Sequence, residues 1–127
     1  MSSRATESGT SGDTVIRWRA PRIEREQIVA RLKGVLEPFK RDGHLESAYL
    51  FGSVARGDHT SDSDIDLILL ASTSVPFIHR SAQFRSVFDA FPCAEVFVYT
   101  PKEFEQLTTP PTYGFWRSVT DEMQLIL

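Results

Sequence analysis

Cysteine is almost missing from this chain: Cys93 stands alone. An intramolecular disulfide and a cysteine-rich zinc site are therefore excluded, and the usage fits a reducing cytoplasm. A basic excess is missing too. Fourteen Lys and Arg against seventeen Asp and Glu leave a net charge of −3, so no surplus positive surface advertises a polyanion site, and duplex nucleic acid is not expected as a partner. No apolar run approaches the roughly 20 residues that a membrane-spanning helix requires. Residues 1–14 also lack the apolar centre of a secretory leader. A soluble, cytoplasmic protein is the expectation, with no membrane partner, and no internal repeat is visible.

What is present is an ordinary globular composition, 127 residues with 41% hydrophobic and 24% charged side chains, which bounds the chain to one domain. Residues 1–14 mix Ser, Gly and Thr with charges and read as a disordered tail. The folded domain is assigned to residues 15–127.

Hydrophobic spacing organises that domain. Ile28, Leu32, Val35, Leu36 and Phe39 recur every three or four residues, predicting an amphipathic helix over residues 23–39. Pro21 lies near its start, Asp42 and Gly43 stop it, and Pro38 is expected to end its regular hydrogen bonding early. A short apolar strand over 47–51 follows, then a polar, glycine-bearing stretch, then a second strand over 64–70. Phe84, Val87, Phe88 and Phe91 predict one helix over 77–91, and alternating β-formers predict a third strand over 94–99. Thr100, Pro101, Lys102 and Glu103 read as an N-cap with proline in the first helical position, opening a short helix that residues 108–111 end. The last segment begins as a helix, and residues 124–127 suit an edge strand equally well. The predicted class is α+β, a small mixed sheet flanked by helices.

The chemistry concentrates between Leu50 and Leu70. Side chains two apart on a strand share a face, so Asp64 and Asp66 point one way and Ile65, Leu67 and Leu69 the other. Two carboxylates opposite a packed face lie either at a solvent edge or around a cation, because like charges so close are costly unless neutralised. The fitting cation is Mg²⁺, with Mn²⁺ as a substitute: a hard ion that takes carboxylate oxygens, keeps waters and bridges phosphates. Glu95 is the only acid of the third strand. If that strand lies beside the second, Glu95 completes a three-carboxylate cluster. Upstream, Gly52 ends a strand and Ser53 begins a turn into a short helix, whose free backbone N–H groups suit an anion. A triphosphate held there would lie over the acids, the geometry of metal-assisted nucleotidyl transfer.

The string Gly52-Ser53, ten intervening residues, then Asp64-Ile65-Asp66 resembles the signature of the DNA polymerase beta-like nucleotidyltransferase superfamily. Ala55-Arg56-Gly57 and Ser61-Asp62-Ser63-Asp64 are similar to its small stand-alone branch, the minimal nucleotidyltransferases. The resemblance implies the polymerase beta-like fold, with Asp64 and Asp66 as catalytic metal ligands and Glu95 where the family has its third acid. It implies phosphate binding by Gly52 and Ser53, with Arg56 as a further candidate. Many small members carry Asp where Glu95 stands, a modest departure. The implied activity is Mg²⁺-dependent transfer of AMP from ATP to a hydroxyl. No second domain is evident to hold a bulky acceptor, which favours an acceptor on a partner protein. Minimal nucleotidyltransferases are commonly paired with a small helical HEPN-domain protein, and several are antitoxins that adenylylate a tyrosine of that toxin. The alternatives are a small-molecule nucleotidyltransferase of the aminoglycoside type and a non-catalytic module that masks a toxin.

Plainer readings apply to the remaining residues. Arg56 either grips phosphate or pairs with Asp58 or Asp62. Asp62 reads as a loop cap, His59 as a solvated loop residue, and Cys93 as a small buried hydrophobe. Phe115 and Trp116 read as core rather than as a platform for adenine. His44 and His79 are assigned no role.

Overall fold

The computed structural model describes residues 21–59, 63–110 and 114–127, with backbone alone at 21–24. The assigned tail at 1–14, and Ser61 and Asp62, lie outside the described residues. Helix α1 (Pro21–Arg41) leads to strand β1 (Ser47–Phe51), short helix α2 (Gly52–Arg56) and strand β2 (Ile65–Leu70). Helix α3 (Phe77–Arg80), a 3₁₀ turn (Ser81–Phe84) and helix α4 (Arg85–Ala90) precede strand β3 (Ala94–Tyr99). Helices α5 (Pro101–Thr108) and α6 (Gly114–Glu122) and the two-residue strand β4 (Gln124–Leu125) complete the chain. No helix among the described residues is long and apolar enough to cross a membrane.

The sheet has the order β3-β2-β1-β4. β1 runs antiparallel to β2 and to β4, whereas β2 and β3 are parallel, their crossover supplied by residues 71–93. This is the mixed α+β arrangement that the element pattern predicts. β4 answers the open question about the C-terminus in favour of an edge strand, with Tyr49 opposite Leu125.

Both faces of the sheet are covered. Ala48, Leu50, Ile65, Leu67, Leu69 and Val98 pack with Leu32 and Leu36 of α1 and with Phe84 and Val87. Phe51, Ile68 and Leu70 pack on the other side with Phe104 of α5 and with Trp116 and Val119 of α6. The face that carries Asp66 is thus apolar from Ile68 onward, and only its first register position is left to the acids. A sheet sandwiched between helix layers reads as continuous apolar strands rather than as alternation, as in Ile65-Asp66-Leu67-Ile68-Leu69-Leu70.

Two helix expectations change. α1 continues through Pro38 to Arg41: the proline lacks a donor, but its carbonyl still accepts, and Asp42 N–H donates to it at 3.0 Å, closing the next turn. The helix expected over 77–91 is broken by the 3₁₀ turn. Arg80 and Phe84 would share one face of a regular helix, but they have incompatible destinations. Buried Arg80 donates to the carbonyls of Val75 and Val98 and to Glu103, whereas Phe84 enters the core against Phe39, ring centroids 4.9 Å apart. α5 begins as its sequence predicts, with a complete capping box: Glu103 N–H donates to Thr100 Oγ1 and Thr100 N–H to Glu103 Oε1.

Candidate active site

Three chain segments meet where β2 begins. Register places Asp66 between Phe51 of β1 on one side and Glu95 of β3 on the other. Asp64 lies just before the strand, exposed, in the approach to it. The parallel pairing of β2 with β3 thus makes Asp66 and Glu95 direct neighbours on one face, as the sequence reading required of the third strand.

Asp66 is half-buried, and burial is the main reason its pKa is pushed from 3.8 up to about 6. The Glu95 carboxyl adds repulsion and a shared hydrogen bond, Asp64 adds repulsion, and Arg56 opposes the rise. A carboxyl in such company holds its charge reluctantly, and a cation drawn to the group relieves both causes.

The Gly52–Ser53 turn lies directly against this carboxyl. Gly52 has φ +79°, in the left-handed region that glycine enters without penalty. A Cβ there would overlap Asp66 Oδ2 and stand 3.2 Å from Asp66 Cγ. Glycine at this position therefore brings bare backbone up to the acid. α2 follows as expected, without a side-chain cap on its first N–H groups, and ends at Gly57, whose N–H donates to the Ser53 and Val54 carbonyls. Arg25 of α1 braces α2 by donating to the Ala55 carbonyl at 3.4 Å and to Gln124 Oε1 at 3.1 Å.

Arg56 is held at the C-terminal end of α2. It donates to Asp58 Oδ2 at 3.1 Å and to Glu122 Oε1 of α6 at 3.0 Å. These two carboxylates raise its pKa further, the Asp58 hydrogen bond most. Asp58 was one of the partners its sequence suggested; Glu122, 66 residues away, has no local signal.

Aromatic side chains form the wall behind the acids. Phe51 meets Phe97 at 6.2 Å and Phe115 edge-on at 6.3 Å. Trp116 is core as expected, against Tyr99 and Phe104. Phe115 is not, with 55% of its surface exposed. Two further readings change: His59 is buried rather than solvated, and Cys93 is exposed rather than buried, because it precedes the strand instead of joining it. His44 and His79 are exposed.

Among the described residues no three His, Cys, Asp or Glu side chains are gathered tightly enough to hold a metal by themselves. The donor set is open instead: the Asp66–Glu95 pair, Asp64 within its electrostatic reach, and backbone beside them. That fits a cation of the Mg²⁺ kind, which takes one or two carboxylates and completes its shell with water and substrate phosphates. Cavities of about 550 and 660 Å³, lined by residues such as Arg25 and Leu125 or His44 and Gln83, do not include these acids.

Residues 33–90 match the family described as polymerase beta, nucleotidyltransferase. The match includes Gly52, Ser53, Asp64 and Asp66 and stops short of Glu95. A candidate nucleotidyltransferase from Sulfolobus solfataricus superposes with a TM-score of 0.57 over 73% of this chain and 85% of its own, at 20% identity. A toxin-antitoxin structure with AMP-PNP superposes with a TM-score of 0.52 over 78% of this chain and 72% of its own, also at 20% identity. No curated protein matches the chain. The fold is the polymerase beta-like nucleotidyltransferase fold.

Proposed function

We propose that this chain transfers AMP from ATP to a hydroxyl of a partner protein, as the antitoxin of a pair whose toxin is a small helical HEPN-domain protein. The observation that carries the reading is the packing of the Gly52 backbone against Asp66, beside Glu95: bare glycine backbone and paired acids in one place. The toxin-antitoxin structure with AMP-PNP supports the choice of nucleotide and partner.

In this reading the backbone N–H groups of the Gly52–Ser53 turn and the Ser53 hydroxyl hold the triphosphate, with Arg56 as an added cation once freed from its carboxylates. Asp64, Asp66 and Glu95 would hold Mg²⁺ or Mn²⁺, which supplies charge neutralisation and polarisation of the phosphoryl oxygens when bound. Glu95, exposed at the strand start, accepts the proton of the acceptor hydroxyl. The hydroxyl oxygen forms a bond to the α-phosphorus, the bond from that phosphorus to the bridging oxygen breaks, and pyrophosphate departs with its electron pair.

The test is incubation of the protein with α-labelled ATP, Mg²⁺ and the candidate HEPN partner. Label on the partner is expected, with Glu95→Gln slowing transfer by the roughly 10²- to 10⁴-fold that general-base catalysis contributes. Neutralisation of the partner with no label transferred, by parent and variant alike, would replace the enzyme with a masking module. Label on an aminoglycoside but not on protein would move the acceptor to a small molecule.

A further inference from the structure

Phe115 is the one large exposed apolar side chain among the described residues whose ring contacts lead to the acids. Phe77 lies tilted against Tyr99, at the opposite end of β3 from Glu95, and Leu125 lies on the edge strand across from Tyr49. Phe115 instead meets Phe51, and Phe51 is the register partner of Asp66. Directly opposite residues of an antiparallel pair have Cβ atoms about 4.5–5.5 Å apart, so one side chain separates the Phe115 ring from the acid.

Two aromatic neighbours flank that ring edge-on. Phe51 meets it edge-on at an interplanar angle of 89°, and Trp116 meets it at 85° with centroids 5.4 Å apart. Both neighbours are themselves buried, at 7% exposure. A half-exposed aromatic held by two buried ones gains little from solvent, and α6 could have turned a polar residue outward there. A ring flanked by two buried aromatics and open on one side suits a flat π-system that can stack on it.

The geometry points to Phe115 as the platform on which the nucleobase of the bound nucleotide stacks, with the triphosphate running from it toward the Gly52–Ser53 turn. The inference rests on the nucleotidyl-transfer reading and deepens it: the phosphates are held by the Gly52–Ser53 turn beside the acids of β2 and β3, the base by α6. Aromatic stacking is tolerant of base identity because every base presents a π-face, so the site would accept nucleotides of more than one base.

Calorimetry with Mn²⁺ present, comparing ATP with inorganic tripolyphosphate, separates base from phosphate recognition in the full chain. Phe115→Ala is expected to weaken ATP by roughly five- to hundredfold, the range that stacking on an aromatic supplies, and to leave tripolyphosphate within about twofold of the parent. Phe115→Trp should restore or tighten ATP, a rescue that a purely structural role would not show. Equal loss of both ligands in Phe115→Ala would overturn the inference by making the ring a support of the phosphate site. Unchanged ATP affinity would overturn it in favour of a protein contact. A parent that bound tripolyphosphate but showed no preference for ATP would refute the base platform alone, whereas a parent that bound neither would refute the nucleotidyl-transfer reading as well.

Discussion

Replacing Gly52 by alanine imposes two separable penalties. The first is the backbone: a non-glycine residue at φ +79° costs about 1–2 kcal/mol. The second is the overlap of the new Cβ with the Asp66 carboxylate, whose Cγ stands 3.2 Å away. Forcing atoms into a packed site costs about 1–3 kcal/mol. Gly57 supplies the control, since at φ +82° it pays the first penalty while nothing lies within 4 Å of its Cβ position. Gly57→Ala should therefore lose about 1–2 kcal/mol and Gly52→Ala about 2–5 kcal/mol. Asp66→Ala removes the clashing atoms and leaves a Cβ at 3.5 Å, an ordinary contact. In a double-mutant cycle by urea denaturation at constant m-value, the Gly52→Ala penalty should shrink by about 1–3 kcal/mol when Asp66 is alanine. Calorimetry should show Mn²⁺-ATP affinity falling at least about tenfold in Gly52→Ala and only a few-fold in Gly57→Ala. A coupling below about 0.5 kcal/mol, the usual scatter of independent sites, or equal penalties at the two glycines, would refute the claim that this backbone is packed against the acid.

Glu103 is held down to about pKa 2 by its hydrogen bonds to Arg80 and to the Thr100 N–H. A depressed carboxyl stabilises the fold above its unfolded pKa near 4.5 and loses that contribution as pH falls toward 2. Because 42% of its side chain is exposed, the full linkage value is cut by screening to about 1–2 kcal/mol. Denaturation of Glu103→Gln should show that deficit at pH 7 and a difference from the parent that shrinks below about pH 4.5 and vanishes only near pH 2; a constant difference across the range would exclude the ion pair as its cause. Glu122→Gln removes one of the two carboxylates that hold Arg56, so ATP affinity should rise a few-fold at low salt and less at high salt; a fall would mean that Glu122 positions Arg56 for phosphate instead. Trp116→Ala should lose about 3–5 kcal/mol as a buried aromatic, whereas exposed Phe115→Ala should stay within about 1 kcal/mol in the same melts.

The local grammar of the chain was sufficient for most elements. The apolar period of α1, the β-formers of the three long strands and the Thr100–Glu103 cap each carry their structure within a few residues, so no distant partner was needed to read them. The places of Gly52 and Asp66 in the fold were legible for the same reason: strand, glycine turn and strand are contiguous, whereas Asp64 falls just before β2, where alternation assigns no face.

Tertiary structure decided what depends on which segments meet. Glu95 became a neighbour of Asp66 only because β3 pairs in parallel with β2 after a long crossover, and no local period encodes that register. The break at Ser81–Phe84 was invisible because the 77–91 pattern is helical throughout. It arises from the separate destinations of Arg80 and Phe84. Phe115 and Trp116, adjacent and both aromatic, looked equivalent in one dimension. Neighbouring residues on a helix point about 100° apart, so docking α6 on the sheet buried the indole and left the phenyl ring half in solvent against Phe51, the register partner of Asp66.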